Sequence, residues 1–215
     1  MAIDKASAQR LVRRILDPVA ALALRLGLSP DALTVIGLLL SIGAGLLVAK
    51  GRLLAAALLL LAGALCDILD GSMARRANRS SRHGAFLDST LDRLAEIAVF
   101  VGLLALYRER LALQLLTLLA LTGSLMTSYA RARAEGLGID CKVGLLERPE
   151  RLVLLILGLL LAPLRPGGFS VLEWVIGALA LLTYVTTLQR IVHVLGRATR
   201  LDAAPARSDS AGSSR

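Results

Sequence analysis

The sequence predicts an all-α integral membrane protein: six transmembrane helices preceded by an amphipathic interfacial helix. Three observations carry this. Of 215 residues, 56% are hydrophobic, with a mean hydropathy of +0.69, above the 45–50% apolar content usual for soluble domains. Only 3% are aromatic, so the apolar content is largely Leu, Ala and Val in continuous runs. Those runs recur six times, at 32–49, 53–66, 95–106, 111–130, 152–164 and 171–188. The longer ones approach the ~20 residues a helix needs to cross a bilayer core. The shorter ones reach that length only by taking in polar flanks.

Each element has its own signals. Residues 4–26 place Leu11, Ile15, Val19 and Leu22 near one helical face and Arg10, Arg13 and Arg14 mostly on another, a helix suited to lie in the membrane interface. Ser29-Pro30-Asp31 opens the first span with an N-cap, a first-turn proline and an acid at the positive dipole end. Lys50-Gly51-Arg52 is a tight turn, and the second helix runs over 53–78. A polar turn at Arg79–His83 leads to a third helix from Gly84 to about Leu106. The fourth spans about 111–135, the fifth starts at Arg148-Pro149 and ends before Pro163, and the sixth runs over about 170–196. The domain reading is a juxtamembrane segment (1–29), a six-helix domain (30–197) and a disordered tail (198–215), the last rich in Ala, Ser and Arg.

The net charge is +9 and the pI about 10.7. In a soluble chain this would suggest nucleic acid as a partner. Here the apolar spans and scarce aromatics argue against one. With six spans, twenty of the 25 basic residues fall on one side. The positive-inside rule then places both termini, and the chemistry described next, in the cytoplasm, with the chain multi-pass in the plasma (inner) membrane.

The informative stretch is Asp67-Ile-Leu-Asp70-Gly71-Ser-Met-Ala74-Arg75, eight further residues, then Gly84-Ala-Phe-Leu-Asp88-Ser-Thr-Leu-Asp92. Asp67 and Asp70 share a helix face, as do Gly84, Asp88 and Asp92 on the next helix. A short turn folds the two helices antiparallel, so the four carboxylates can converge near one end of the bundle. One ionised side chain in a span costs about 3 kcal/mol or more, and four together repel. All-oxygen ligands at this density suit hard divalent cations such as Mg²⁺ or Mn²⁺. Two such ions could share carboxylates and clamp a phosphate under displacement. A carboxylate-based ion transporter is the competing class, but it predicts midplane sites and often inverted repeats, and no repeat is visible.

This stretch resembles the signature of the CDP-alcohol phosphotransferase family, D-x2-D-G-x2-A-R-x8-G-x3-D-x3-D, meeting all eight fixed residues in 26. The resemblance implies an enzyme that moves the lipid phosphate of a CDP-linked donor, such as CDP-diacylglycerol, to an alcohol and releases CMP. It implies two divalent metal ions (Mg²⁺ or Mn²⁺) held by Asp67, Asp70, Asp88 and Asp92, with Asp92 also the general base. Gly71, Ala74 and Arg75 would meet the donor, with Asp31, Thr34 and Ser81 at further donor-contacting positions. The family also implies a homodimer in contact with membrane lipids.

A second basic group, Ser128 to Glu135, Glu147 to Arg151 and Gln189-Arg190, resembles the phosphatidylinositol-phosphate synthase branch. There Arg131, Arg151 and Arg190 would hold the phosphate of a phosphorylated acceptor, inositol phosphate, with Arg131 where that branch often has Lys. Arg133 and Arg148 read equally well as topology signals. Glycerol 3-phosphate, giving phosphatidylglycerophosphate, is the alternative acceptor.

Overall fold

A computed structural model describes residues 28–76 and 81–202, with the side chains of 71 and 74–76 left out. The expected interfacial helix therefore lies outside the described residues. Those residues form six α-helices, one short 3₁₀ turn at Pro166–Gly168 and no strand. The helices are α1 (Pro30–Ala49), α2 (Leu53–Arg76), α3 (Arg82–Leu106), α4 (Leu111–Gly136), α5 (Arg148–Leu160) and α6 (Val171–Asp202).

Local chemistry sets the ends. Ser29 Oγ accepts from the Ala32 amide at 3.1 Å, with Pro30 at the first helical position. Ser81 does the same for α3, accepting from the Gly84 amide at 2.9 Å. That cap draws Arg82 and His83 into the helix, where the sequence suggested a turn as far as His83. α6 runs on to Asp202, past the expected domain end at residue 197, because nothing between 197 and 202 breaks a helix.

The six-span count is only partly reproduced. Among the described residues four helical segments are long and apolar enough to cross a membrane: α1, Leu53–Asp70 of α2, α4 and α6. α3 begins with the polar run that carries Asp88 and Asp92, and α5 has 13 residues, rising only about 20 Å. Leu39, Leu46, Leu54, Leu181 and Leu188 are exposed on the outside of the bundle, as a lipid-facing surface requires.

α1 packs against both α2 and α3, and α4 against α6. The α1–α3 crossing is backbone on backbone. A Cβ on Gly102 would lie 2.9 Å from Gly45 Cα, and one on Gly45 would lie 2.9 Å from the Ala98 carbonyl carbon. Small residues permit such an approach between membrane helices, where packing replaces the hydrophobic effect. Gly102→Val should therefore lower the unfolding midpoint in detergent by roughly 10 °C. A midpoint matching the parent would mean that the two helices part without cost.

In the α4–α6 contact, Thr117, Thr127, Thr183 and Thr187 are buried. Each donates to the carbonyl four residues back. Thr127 and Thr187 also meet across the contact at 2.9 Å, so these hydroxyls have partners within the apolar bundle.

Candidate active site

Asp67 and Asp70 leave α2 on one face, and Asp88 leaves α3 one turn before Asp92. The fold brings Asp67, Asp70 and Asp88 together: one carboxylate oxygen from each lies within 4.8 Å of the others. Asp70 is buried, and its Oδ2 accepts from the Thr34 hydroxyl at 2.8 Å. Thr34, expected to face the donor, thus fixes the rotamer of an aspartate. Asp88 Oδ1 is buried and accepts no hydrogen bond. An ionised oxygen in that state is costly, and two neighbouring carboxylates raise the cost. A cation would satisfy all three, and an all-oxygen donor set suits a hard divalent ion.

Asp92 is not part of that group of three. Its Oδ1 accepts from Arg148 Nη2 at 2.5 Å, while Arg148 Nη1 donates to Asp67 Oδ2 at 3.0 Å. One guanidinium at the first turn of α5 thereby ties α2 to α3. A turn further along α3, Glu96 Oε1 accepts from Ser124 Oγ at 2.5 Å and from Arg151 Nε at 3.3 Å. Arg151 is buried and also donates to Ser128 Oγ at 3.2 Å. Arg190 of α6, also buried, donates to the carbonyls of Thr127 (2.6 Å) and Val143 (2.9 Å). Arg151 and Arg190 thus meet α4 at adjacent residues, and Arg190 anchors the 137–147 loop.

The remaining expected residues fall in three places. Asp31, Ser81 and Gly84 adjoin at the starts of α1 and α3: a Cβ on Gly84 would lie 3.3 Å from Ser81 Oγ and 3.7 Å from Asp31 Oδ1. His83 Nδ1 stands 3.8 Å from Asp31 Oδ2 there. Arg131 lies one turn past Ser128, turned toward Glu135 at 2.9 Å. Gly71, Ala74 and Arg75 lie on the last turns of α2, with their side chains outside the described residues.

A cleft open to solvent brings part of the carboxylate cluster and the α5 arginines together. Asp67, Asp70, Asp92, Glu96, Arg148 and Arg151 are among its walls, and its deeper lining is apolar, with Leu60, Val99 and Phe100. Carboxylates able to hold cations and arginines able to hold an anion share one space beside lipid-facing helices.

Sequence reasoning passed over Glu96 and weighed Arg148 as a topology signal. Glu96 continues the four-residue spacing of Asp88 and Asp92, and that spacing was the available signal. Arg148 and Arg151, three apart, likewise share one face of α5.

Known proteins share this arrangement of helices. A 41% identical relative is the archaetidylinositol phosphate synthase of Methanothermobacter thermautotrophicus, the match covering 87% of this chain and 92% of that one. The phosphatidylinositol phosphate synthase of Mycobacterium tuberculosis is 37% identical over 91% of this chain and 94% of its own. A crystal structure of the latter with CDP-DAG bound superposes with a TM-score of 0.76 at 37% identity, covering 84% of this chain and 94% of that one. Another, in complex with manganese and citrate, gives 0.77 at 36% identity, covering 84% and 88%. Residues 27–188, from the start of α1 into α6 and so including every aspartate of the cluster, match the family described as CDP-alcohol phosphatidyltransferase. On that match and these relatives, the chain belongs to the CDP-alcohol phosphatidyltransferase family.

Proposed function

We propose that this protein transfers the phosphatidyl group of a CDP-linked lipid, CDP-diacylglycerol or its ether counterpart, to an inositol phosphate, giving a phosphatidylinositol phosphate and CMP. The observation that carries the reading is the shared cleft, where Asp67, Asp70 and Asp92 face Arg148 and Arg151. Relatives named as inositol phosphate lipid synthases support the acceptor.

Asp67, Asp70 and Asp88 would hold divalent cations, Mg²⁺ or Mn²⁺, with Asp92 completing the set for a second ion. When bound, the ions neutralise the donor's diphosphate. The chain's own residues do the rest. Thr34 keeps Asp70 in place. Asp92 takes the proton of the acceptor hydroxyl as its oxygen bonds to the lipid-side phosphorus and CMP departs. Arg131, Arg151 and Arg190 receive the acceptor's phosphate, for which the planar guanidinium is well suited. Asp31, Ser81, Gly71, Ala74 and Arg75 would meet the donor's nucleotide, as the family resemblance implies. Positioning and electrostatics supply most of the rate in such transfers.

In this reading all six helices cross the plasma membrane, α3 and α5 with the help of their neighbours. Residues 30–197 form the enzyme domain between the 1–29 and 198–215 segments, both termini and the cleft face the cytoplasm, and the chain works as a homodimer.

Purified protein with CDP-diacylglycerol and Mn²⁺ should release CMP rapidly with inositol phosphate, and slowly with glycerol 3-phosphate, serine or free inositol. Faster release with glycerol 3-phosphate would move the assignment to phosphatidylglycerophosphate synthesis. Arg151→Ala should raise the acceptor KM by about 100-fold, the loss of one charge-assisted contact, with the donor KM little changed. Equal rises in both would make Arg151 a general electrostatic element.

A further inference from the structure

Asp92, the proposed base, has a partner that its chemistry does not require. Arg148 Nη2 sits 2.5 Å from Asp92 Oδ1, and the same guanidinium reaches Asp67 at 3.0 Å. A carboxylate oxygen so engaged is poorly placed to take a proton from a nucleophile. About a third of the Arg148 side chain is exposed. It therefore faces the same cleft as Arg151, one turn along α5.

We infer that Arg148 couples release of the base to arrival of the acceptor. While the acceptor's place is empty, Arg148 holds Asp92. An anion settling against Arg151 offers Arg148 a second partner. Separating a poorly solvated ion pair is costly when one charge is left alone, and far less so when another anion replaces the lost one. Arg148 turns to the phosphate, Asp92 is freed, and its oxygen meets the acceptor hydroxyl that the same phosphate has brought in. The device matters because water competes for the same phosphorus. In the unwanted reaction a water oxygen bonds to the lipid-side phosphorus as the phosphorus–oxygen bond to CMP breaks. CMP leaves with that electron pair, the water proton passes to Asp92, and a phosphatidic acid is wasted. Holding Asp92 until an anion is present suppresses that loss. Arg148 is thus a positioning residue that acts through Asp92.

The inference rests on Asp92 being the base, and two arms test it with CDP-diacylglycerol, Mn²⁺ and no alcohol. In the unaltered protein, inorganic sulfate, which carries the charge but no attacking hydroxyl, should accelerate CMP release to water. It is added at the concentration that half-inhibits transfer to inositol phosphate, and about a tenfold rise is expected, the low end of general-base effects. Arg148→Gln should release CMP to water faster than the parent without sulfate, gain nothing from it, and fall back when Asp92→Asn is added. No sulfate stimulation in the unaltered protein overturns the inference, whether or not Arg148→Gln folds. Water-directed release in folded Arg148→Gln at or below the parent's does the same. Transfer surviving in Asp92→Asn would instead reject the base itself, so the two failures are distinguishable.

Discussion

Asp92→Asn is expected to lower kcat for CMP release about a thousandfold, within the range of general-base contributions, while CDP-lipid binding stays near that of the parent. The amide matches the carboxylate in shape, and its oxygen can still accept from Arg148, so the α3–α5 tie of 2.5 Å keeps a donor and an acceptor. What it loses is the ability to take a proton, together with one charged ligand for the second ion, while Asp67, Asp70 and Asp88 remain to hold a cation against the donor. The check is a paired measurement of kcat and equilibrium donor binding. A kcat within about tenfold of the parent would show that another group removes the proton. Donor affinity falling in step with kcat would assign Asp92 to binding alone.

Asp88→Asn is expected to produce opposite effects with and without metal. In the metal-free protein, Asp88 Oδ1 is a buried oxygen without a hydrogen bond, near the carboxylates of Asp67 and Asp70. Making it neutral relieves that repulsion, so the variant should melt above the parent in EDTA, as functional residues often trade stability for activity. With Mn²⁺ the order reverses. A cation at about 100 times its dissociation constant adds about 2.7 kcal/mol to the parent. The variant should gain little, because losing a direct ligand should weaken binding by more than the 10–100-fold typical of outer-shell changes. Thermal unfolding of both proteins in both conditions reads the effect. Equal Mn²⁺ shifts in the two would remove Asp88 from the ligand set.

Much of this arrangement could be read from residue spacing. The Asp67/Asp70 and Asp88/Asp92 intervals place acids on adjoining helical faces, and Ser29-Pro30 marks the start of α1 directly. The helix ends that differ are decided by single hydrogen bonds or by the lack of a breaker. Ser81 caps two residues earlier than the polar run suggested, and α6 continues because residues 197–202 hold neither Gly nor Pro. Side-chain pairing was the least legible. The Arg131–Glu135 pair, four apart on α4, follows from spacing, but Thr34 turning to Asp70 and Arg148 to two aspartates depends on how α1 and α5 approach α2 and α3. Periodicity within one helix carries no information on those distances. The membrane count was obscured for a related reason: α3 and α5 trade apolar length for the polar residues of the cleft.

The brevity of α5 has a consequence for how two very different molecules meet. A helix of 13 residues rises about 20 Å, against a hydrocarbon core about 30 Å thick. In the proposed topology its first residue, Arg148, would lie below the headgroup plane. Such a recess would let a polar acceptor descend to the lipid's phosphorus. The lipid need not be hauled upward, a movement that would expose methylenes at about 0.8 kcal/mol each. A short rod in the bundle would thus leave the greasy partner at its resting depth and bring the soluble one down to it.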